Sequence, residues 1–580
     1  MKIETSRSRA VAAALTGMAL IGGGAAVTTQ TANAAPPDCD APYPVADLTA
    51  RAPVTGLTVD TGTVPEGFTG EILGVINDGI APGLPMIMAR LTSDEIDRVG
   101  IWQGMSGSPV YAENGDLIGA VSYGLTWGPS PVAGITPFEY MDDYMSTAMP
   151  AQVNVGDRLA KRVAAETDVT ARQARQGMEQ LPMPLSLSGI SKRRLNQLQG
   201  KNGPDFIKTR SATAMGASSS SVDAGPEDLV AGGNLGAVIS YGDITYGGVG
   251  TVTSVCEGQL VGFGHPLGYF GKTTLGLMAA EAIYVQEDPA APGFKVANMG
   301  EEPEGMIDQD RLTGISGPLG GDLLDDTKVT STVNYGDREP RTGESHSLVR
   351  DYNADVTFSQ LLANHDRVVD AYQPGSEAAD FTITGTDANG NGFNIEWGDT
   401  YVSDFDISYE SSYEIADAVY VLSRMKGVQV DSVVAEADVV DSTSVLRLKT
   451  VQQKRGAKWV TIGRKQPVRV TQGSTLRLRA QVTGGGTTKW LPISVAVPNK
   501  VTRNGFLEVS GGLSSWDSGL YGAKTPAQLK SAINAMAKND EVKATLEFFK
   551  RGKNIVKQSK STAQPKPVRG RVWAEVKVKR

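Results

Sequence analysis

A serine hydroxyl is a poor nucleophile at neutral pH unless a base takes its proton and donors hold the oxyanion that forms. The stretch Gly104-Met105-Ser106-Gly107-Ser108-Pro109-Val110-Tyr111 offers such a serine. Glycines on either side allow tight, partly left-handed backbone that side chains would block. The loop can therefore present the Ser106 hydroxyl and aim backbone N–H groups at one point. In that arrangement the donors would be the N–H groups of Ser106 and of Gly104, two residues earlier. The choice of base is narrow, because the chain has only three histidines: His265, His346 and His365. His265 lies in Gly262-Phe263-Gly264-His265-Pro266-Leu267-Gly268, on a glycine-rich loop after an apolar strand. His346 and His365 have polar, charged neighbours and read as surface residues. A carboxylate would complete a triad by fixing the histidine tautomer. Asp94, shortly before the serine motif, is the candidate; Asp243 and Asp310, beside the histidine region, compete with it. For each aspartate the alternative is a surface or turn position.

The elements that would position these groups are mostly strands. After the serine motif, Asn114-Gly115 is a strong hairpin signal, and Leu117-Ile118-Gly119-Ala120-Val121 reads as the returning strand. Residues 68–76 and 85–91 are further strand candidates, so residues 35–150 form a β segment with Ser106 near its middle. Residues 151–230 change character. The span 155–180 is charged and Ala-rich, as helices are, and Ser191 is a candidate N-cap for a second short helix. Ser218 to Ser221 and the Gly/Pro residues after them suggest a flexible link. Strand patterns return over 231–430. Within them Asp387-Ala388-Asn389-Gly390-Asn391-Gly392 looks like half a calcium loop, but position twelve is Gly398 rather than an acid, so a hairpin turn is the better reading. Residues 431–580 form an appended β-module, with a helix expected near 526–538 and a basic tail from Glu541.

With 580 residues the chain is too long for one core, and its 67 glycines suit a loop-rich, mainly β protein. A net charge of -9 implies no general affinity for nucleic acid. The two cysteines and three histidines show no zinc-ligand spacing. Residues 1–34 read as a signal peptide: Lys2, Arg7 and Arg9, then an apolar stretch over 10–27, then Ala32-Asn33-Ala34 as a cleavage site. An exported chain meets oxidising conditions, where a Cys39–Cys256 disulfide is expected in preference to two free thiols. The basic C-terminus could contact anionic cell-wall polymer. No nucleic acid and no stable membrane span after signal cleavage are expected.

The fuller pattern is more specific. GMSGSPVY followed by GDLIGAVSYG, with Gly100-Ile101-Trp102-Gln103 ahead of it, closely resembles the SpoIVB-type serine peptidase family of exported bacterial proteins. Gly262-Phe263-Gly264-His265-Pro266 resembles that family's Gly-His loop, and 305–320, with Ile307-Asp308-Gln309-Asp310-Arg311 and Gly314-Ile315-Ser316-Gly317, resembles a further segment. The likeness covers roughly residues 50–430, with the order of the serine and histidine loops permuted. It implies a trypsin-like β-barrel peptidase region, here with a helical insertion; the appended C-terminal module, read from its alternating strands, is expected to be β-sandwich-like. It further implies a serine endopeptidase with Ser106 as nucleophile, His265 as general base and no cofactor. The alternative is a non-catalytic envelope-binding or scaffold protein that keeps the peptidase fold.

Overall fold

The computed structural model describes residues 39–125, 128–141, 152–181, 186–199, 222–321, 326–501, 504–515, 519–549 and 554–579. The expected signal peptide and the Ser218–Ser221 link lie outside these residues. The chain is mainly β. Its first six strands are β1 (Pro53–Thr58), β2 (Glu66–Ala81), β3 (Leu84–Thr92), β4 (Pro109–Ala112), β5 (Leu117–Leu125) and β6 (Val132–Pro137). They pair antiparallel in the order β4-β1-β2-β3-β6-β5, and β5 returns to β4, so the sheet closes into a barrel. The sequence explains the closure. β5 is a run of small and apolar residues buried along its whole length, able to pair on both edges. The turn into it is the Asn114-Gly115 pair, with Gly115 at φ +90° and its N–H on the Ala112 carbonyl. Ile72, Ile87, Val110, Val121 and Ile135 fill the interior.

A second closed barrel follows. Its strands are β7 (Asn234–Gly242), β8 (Tyr246–Cys256), β9 (Gln259–Gly262) and β10 (Gly271–Met278), joined after the hairpin β11 (Ala280–Gln286) and β12 (Phe294–Met299) by β13 (Gly305–Arg311) and β14 (Gly314–Pro318). The order β7-β10-β13-β14-β9-β8 closes through the β7–β8 pairing, again antiparallel throughout. Leu235, Val252, Leu260, Leu275, Ile307 and Ile315 form its core. The barrel sheet runs on past β7 into β16 (Arg341–Ser347), β15 (Thr327–Tyr335), β19 (Gln429–Val440), β17 (Gly375–Thr386) and β18 (Gly392–Ser403). Two long helices, Asn353–Val369 and Ile407–Ser423, share the core of this extension. The turn from β17 to β18 carries the Asp387–Asn391 stretch, where Asp387 Oδ1 accepts from the Asn389 and Asn391 N–H groups: a hairpin turn, as read.

Between the barrels the helical expectation is met in pieces. Helices span Asp157–Glu166 and Lys192–Gln199, the latter with Ser191 Oγ accepting from the Arg194 N–H, but Met178–Gln180 is a strand on β5. The C-terminal module has two five-stranded sheets. One contains β20 (Leu446–Arg455), β21 (Lys458–Ile462), β23 (Thr475–Gly484), β24 (Thr487–Ala496) and β28 (Val568–Arg569). The other contains β22 (Val468–Thr471), β25 (Gly505–Gly511), β26 (Val542–Phe548), β27 (Ile555–Lys560) and β29 (Arg571–Lys579). Both contribute to one apolar core. The expected basic tail is therefore not a tail: β29 lies between β22 and β25, with Ala574 and Val576 turned inward and its lysines, Arg571 and Trp573 outward.

Cys39 and Cys256 form a disulfide across 217 residues of sequence. The segment beside Cys39 lies along the first barrel, where the Tyr43 N–H meets the Leu117 carbonyl, while Cys256 ends β8 of the second. The bond thus ties one barrel to the other, reinforced by Ser254 Oγ donating to Asp40 Oδ2 at 2.6 Å. Closing so long a loop restricts the unfolded chain, and removing a disulfide typically costs about 2–5 kcal/mol. Cys256→Ser is expected to lower the midpoint of thermal unfolding by several degrees relative to the oxidised wild type; an unchanged midpoint would contradict the staple.

Candidate active site

The serine loop sits where the first barrel meets the second. It leaves the short helix α1 (Asp94–Val99), capped by Ser93, turns at Gly100 (φ +73°) and again at Gly104 (φ +99°), and enters β4. Gly107 (φ +102°) is required twice over. A Cβ there would lie 1.9 Å from the Thr251 carbonyl oxygen, so no side chain fits between the loop and β8. That close approach lets the second barrel grip the loop. The Thr251 N–H donates to the Ser106 carbonyl at 2.8 Å, Thr251 Oγ1 to Gly104 O at 3.1 Å, and Thr253 Oγ1 to Gly107 O at 2.8 Å. In return the first barrel holds the histidine loop. Thr136 Oγ1 donates to Gly264 O at 2.6 Å, and a Cβ on Gly264 (φ +68°) would strike Ser122 Oγ. All these groups are buried. Each bond is worth about 0.5–1.5 kcal/mol net, but losing one partner leaves the other unmet at a cost of about 1–3 kcal/mol, so the loops are held in place chiefly by the cost of separating them.

This grip brings Ser106 Oγ within 2.9 Å of His265 Nε2. On the other side of the ring, Nδ1 lies 2.9 Å from the Pro266 carbonyl oxygen. A carbonyl only accepts, so Nδ1 carries the proton and Nε2 presents its lone pair to the serine hydroxyl. Ser106 and His265 are 1% and 0% exposed, so the pair is sealed from solvent. Burial pushes the His265 pKa down to about 4, against the pull of the Pro266 carbonyl, and keeps the ring in its basic form. Phe263, two residues earlier, is held at φ +69° with its ring 6.1 Å from the imidazole. A bulky residue in the left-handed region is strained, and such strain persists only where the surroundings fix it.

The N–H groups expected to serve as oxyanion donors differ from their neighbours in the loop. The Met105 N–H is taken by the Trp102 carbonyl and the Gly107 N–H by Val121 O, whereas the N–H groups of Gly104 and Ser106 meet no acceptor among the described residues. Against Gly104 lies the stem of Lys295, a buried lysine that the sequence reading missed. Its Cβ would be 2.8 Å from a Cβ on Gly104, its N–H donates to Gln103 O, and its Nζ donates to Asn234 Oδ1 at 2.7 Å. Burial lowers its pKa to about 7, opposed by Asp60. Lys295 packs the hairpin strand β12 against the back of the serine loop.

The three aspartates take other posts. Asp94 is exposed in the first turn of α1, where a carboxylate suits the helix dipole. Asp243 pairs with Arg341 at 2.7 Å and accepts from Gln360. Asp310 is buried beneath the histidine loop, accepting from the N–H groups of Leu267, Gly268 and Phe270 at 2.8–3.0 Å. Burial raises its pKa against those donors. Asp310 thus shapes the loop backbone rather than touching the imidazole through any of these bonds. His346 is half-buried between Asp326 and Glu344. His365, read as a surface residue, is buried: it faces inward from its helix, with Nε2 3.1 Å from the buried Glu377. The helix that carries it is buried almost along its length, Asn364 and Gln360 included, so its polar residues signalled exposure that the packing denies them.

Comparison of the chain with protein-family models, curated proteins and solved structures gives no match.

The buried imidazole has a consequence for stability. Its folded pKa, about 4, lies below the ordinary 6.5. The folded state therefore binds fewer protons between these values, and stability is full above pH 6.5 and falls as pH drops toward 4, by on the order of 3 kcal/mol. Denaturant titrations of wild type and His265→Gln from pH 7 to 4 should show this increment in the wild type alone; equal pH dependence in both would contradict it.

Proposed function

We propose that the chain is a secreted serine endopeptidase of SpoIVB type, built on a trypsin-like pair of barrels with a sandwich-like C-terminal module. The observation that carries this reading is the 2.9 Å bond between Ser106 Oγ and His265 Nε2, made between loops of two closed antiparallel barrels. Supporting it are the tautomer set by the Pro266 carbonyl and the N–H groups of Gly104 and Ser106, which no acceptor among the described residues claims. The disulfide suits an oxidising, extracellular setting. Among the described residues no helix is long and apolar enough to cross a membrane.

In this mechanism His265 Nε2 takes the hydroxyl proton as Ser106 Oγ attacks the scissile carbonyl carbon. The N–H groups of Gly104 and Ser106 receive the negative oxygen of the tetrahedral intermediate. His265 then gives its proton to the leaving amine, and the acyl-enzyme is hydrolysed by water activated on the same nitrogen. The Pro266 carbonyl, dipolar rather than charged, faces the imidazolium where a triad would place a carboxylate. Because the pair is sealed, a peptide reaches Ser106 only after the covering residues part.

A second reading, a non-catalytic protein that retains the scaffold, is favoured by that burial and by the engagement of Asp94, Asp243 and Asp310 elsewhere. Labelling with a small fluorophosphonate distinguishes the two. Wild type is expected to acquire one phosphonyl group, on Ser106, while Ser106→Ala acquires none and His265→Ala reacts at least 100-fold more slowly. Folded wild type that stays unlabelled, or a Ser106→Ala variant that labels equally, would favour the scaffold.

A further inference from the structure

The charge of the chain is divided between its parts. Residues 441–580 hold 28 Lys and Arg against 7 Asp and Glu, while the 440 residues before them hold 27 against 57. Within the module the imbalance is sharper still: no Asp or Glu occurs between Asp441 and Glu508, an interval with thirteen Lys and Arg. Ion pairs formed by the module include Lys560–Glu541, Arg569–Asp404 and Arg571–Glu508. None of the basic residues of 442–507 that the structure describes is in an ion pair. An unneutralised surface of this density attracts polyanions, and it does so through screening of about 8 Å at physiological ionic strength.

One face of this surface has a built arrangement. On the outer side of the β21-β20-β23-β24 sheet, the Arg479 guanidinium lies between two indole rings, 4.5 Å from the Trp459 centroid and 4.3 Å from that of Trp490. Gln452 Oε1, on β20, accepts from Arg479 Nε at 2.8 Å and from Nη2 at 2.6 Å, which fixes the plane of the guanidinium. Arg479 Nη1 meets no acceptor among the described residues. Lys454 stands over the Trp459 ring at 5.9 Å, and Trp490 is 37% exposed. Register places these groups side by side: Gln452 opposite Arg479, Lys454 opposite Trp459, and Trp490 opposite Gln481. Nothing in the interior requires two tryptophans here, since the inward positions Leu478, Ala480 and Val482 already fill the core.

From this face we infer a binding site for an anionic glycopolymer, a saccharide or polyol chain bearing repeated carboxylates or phosphates. The guanidinium supplies a planar donor for an oxyanion, the indoles supply flat faces on which a sugar ring can stack, and Lys454 adds charge alongside. The disulfide decides among polyanions, because an oxidising compartment exposes the module to envelope and extracellular polymers rather than to nucleic acid. The site is independent of the serine chemistry, and it lies on strands that precede the basic stretch from Glu541.

The test uses the full chain at 0.15 M salt. Binding is measured to poly(glycerol phosphate), polygalacturonate, neutral dextran, duplex DNA and vesicles of anionic phospholipid. One or both of the first two should bind, the phosphate and carboxylate arms telling which anion is preferred, with dextran unbound and DNA and vesicles at least tenfold weaker. Arg479→Lys keeps the charge but loses the stacked plane, and Trp490→Ala removes an exposed ring; each should weaken polymer binding about tenfold while leaving the thermal midpoint and fluorophosphonate labelling unchanged. Both variants binding as wild type, tightest binding to DNA or vesicles, or no polymer bound at all would overturn the proposal.

Discussion

The hydrogen bond between Ser106 Oγ and His265 Nε2 is the constraint on which the account depends. Its two residues are 159 positions apart and belong to different closed barrels, so neither barrel can make it alone. What makes it possible is the absence of side chains at two points. Gly107 lets β8 approach the serine loop, and Gly264 lets the histidine loop approach β5. Threonines at 136, 251 and 253 then exchange hydrogen bonds across the seam, and the Cys39–Cys256 disulfide holds the same two barrels together. Packing, backbone conformation and covalent structure thus converge on one contact.

The electrostatics of that contact differ from those of a buried acid–base triad. The Pro266 carbonyl fixes the tautomer, and burial keeps the ring neutral. A dipole stabilises an imidazolium less than a carboxylate would, which makes His265 a weak base in the sealed state. Opening the site to solvent would rehydrate the ring and raise its proton affinity, so access and basicity are coupled through the same burial. The buried carboxylate nearest in role, Asp310, acts on the backbone: it gathers the N–H groups of the loop that carries the histidine.

Much of this was legible in the residues because it rests on local chemistry. The glycines around Ser106, the Asn114-Gly115 turn and the apolar run of β5 announce a strand-turn-strand unit without any tertiary information. That His265 is the histidine beside Ser106 was legible from its glycine-rich loop after an apolar strand, with only three histidines to choose among. The third partner was not, because an aspartate's role depends on which loop folds over it: Asp94, Asp243 and Asp310 look alike in sequence, yet one lies exposed in the first turn of a helix, one pairs with Arg341 and one organises a loop. Lys295 stayed hidden for the same reason, being one lysine in an alternating strand whose burial is decided by a hairpin packing on another barrel. The basic C-terminus was read correctly as charge but not as structure, since its lysines alternate with the inward-facing apolar residues of β29.

Nitrogen-15 NMR of protein labelled at its three histidines tests the central claim most directly. The assembled pair predicts that at pH 7 His265 carries its proton on Nδ1, that Nε2 shows the shift of an unprotonated nitrogen accepting a hydrogen bond, and that this signal changes in Ser106→Ala. A His265 ring protonated on Nε2, or one that titrates near 6.5 and is indifferent to Ser106, would contradict it.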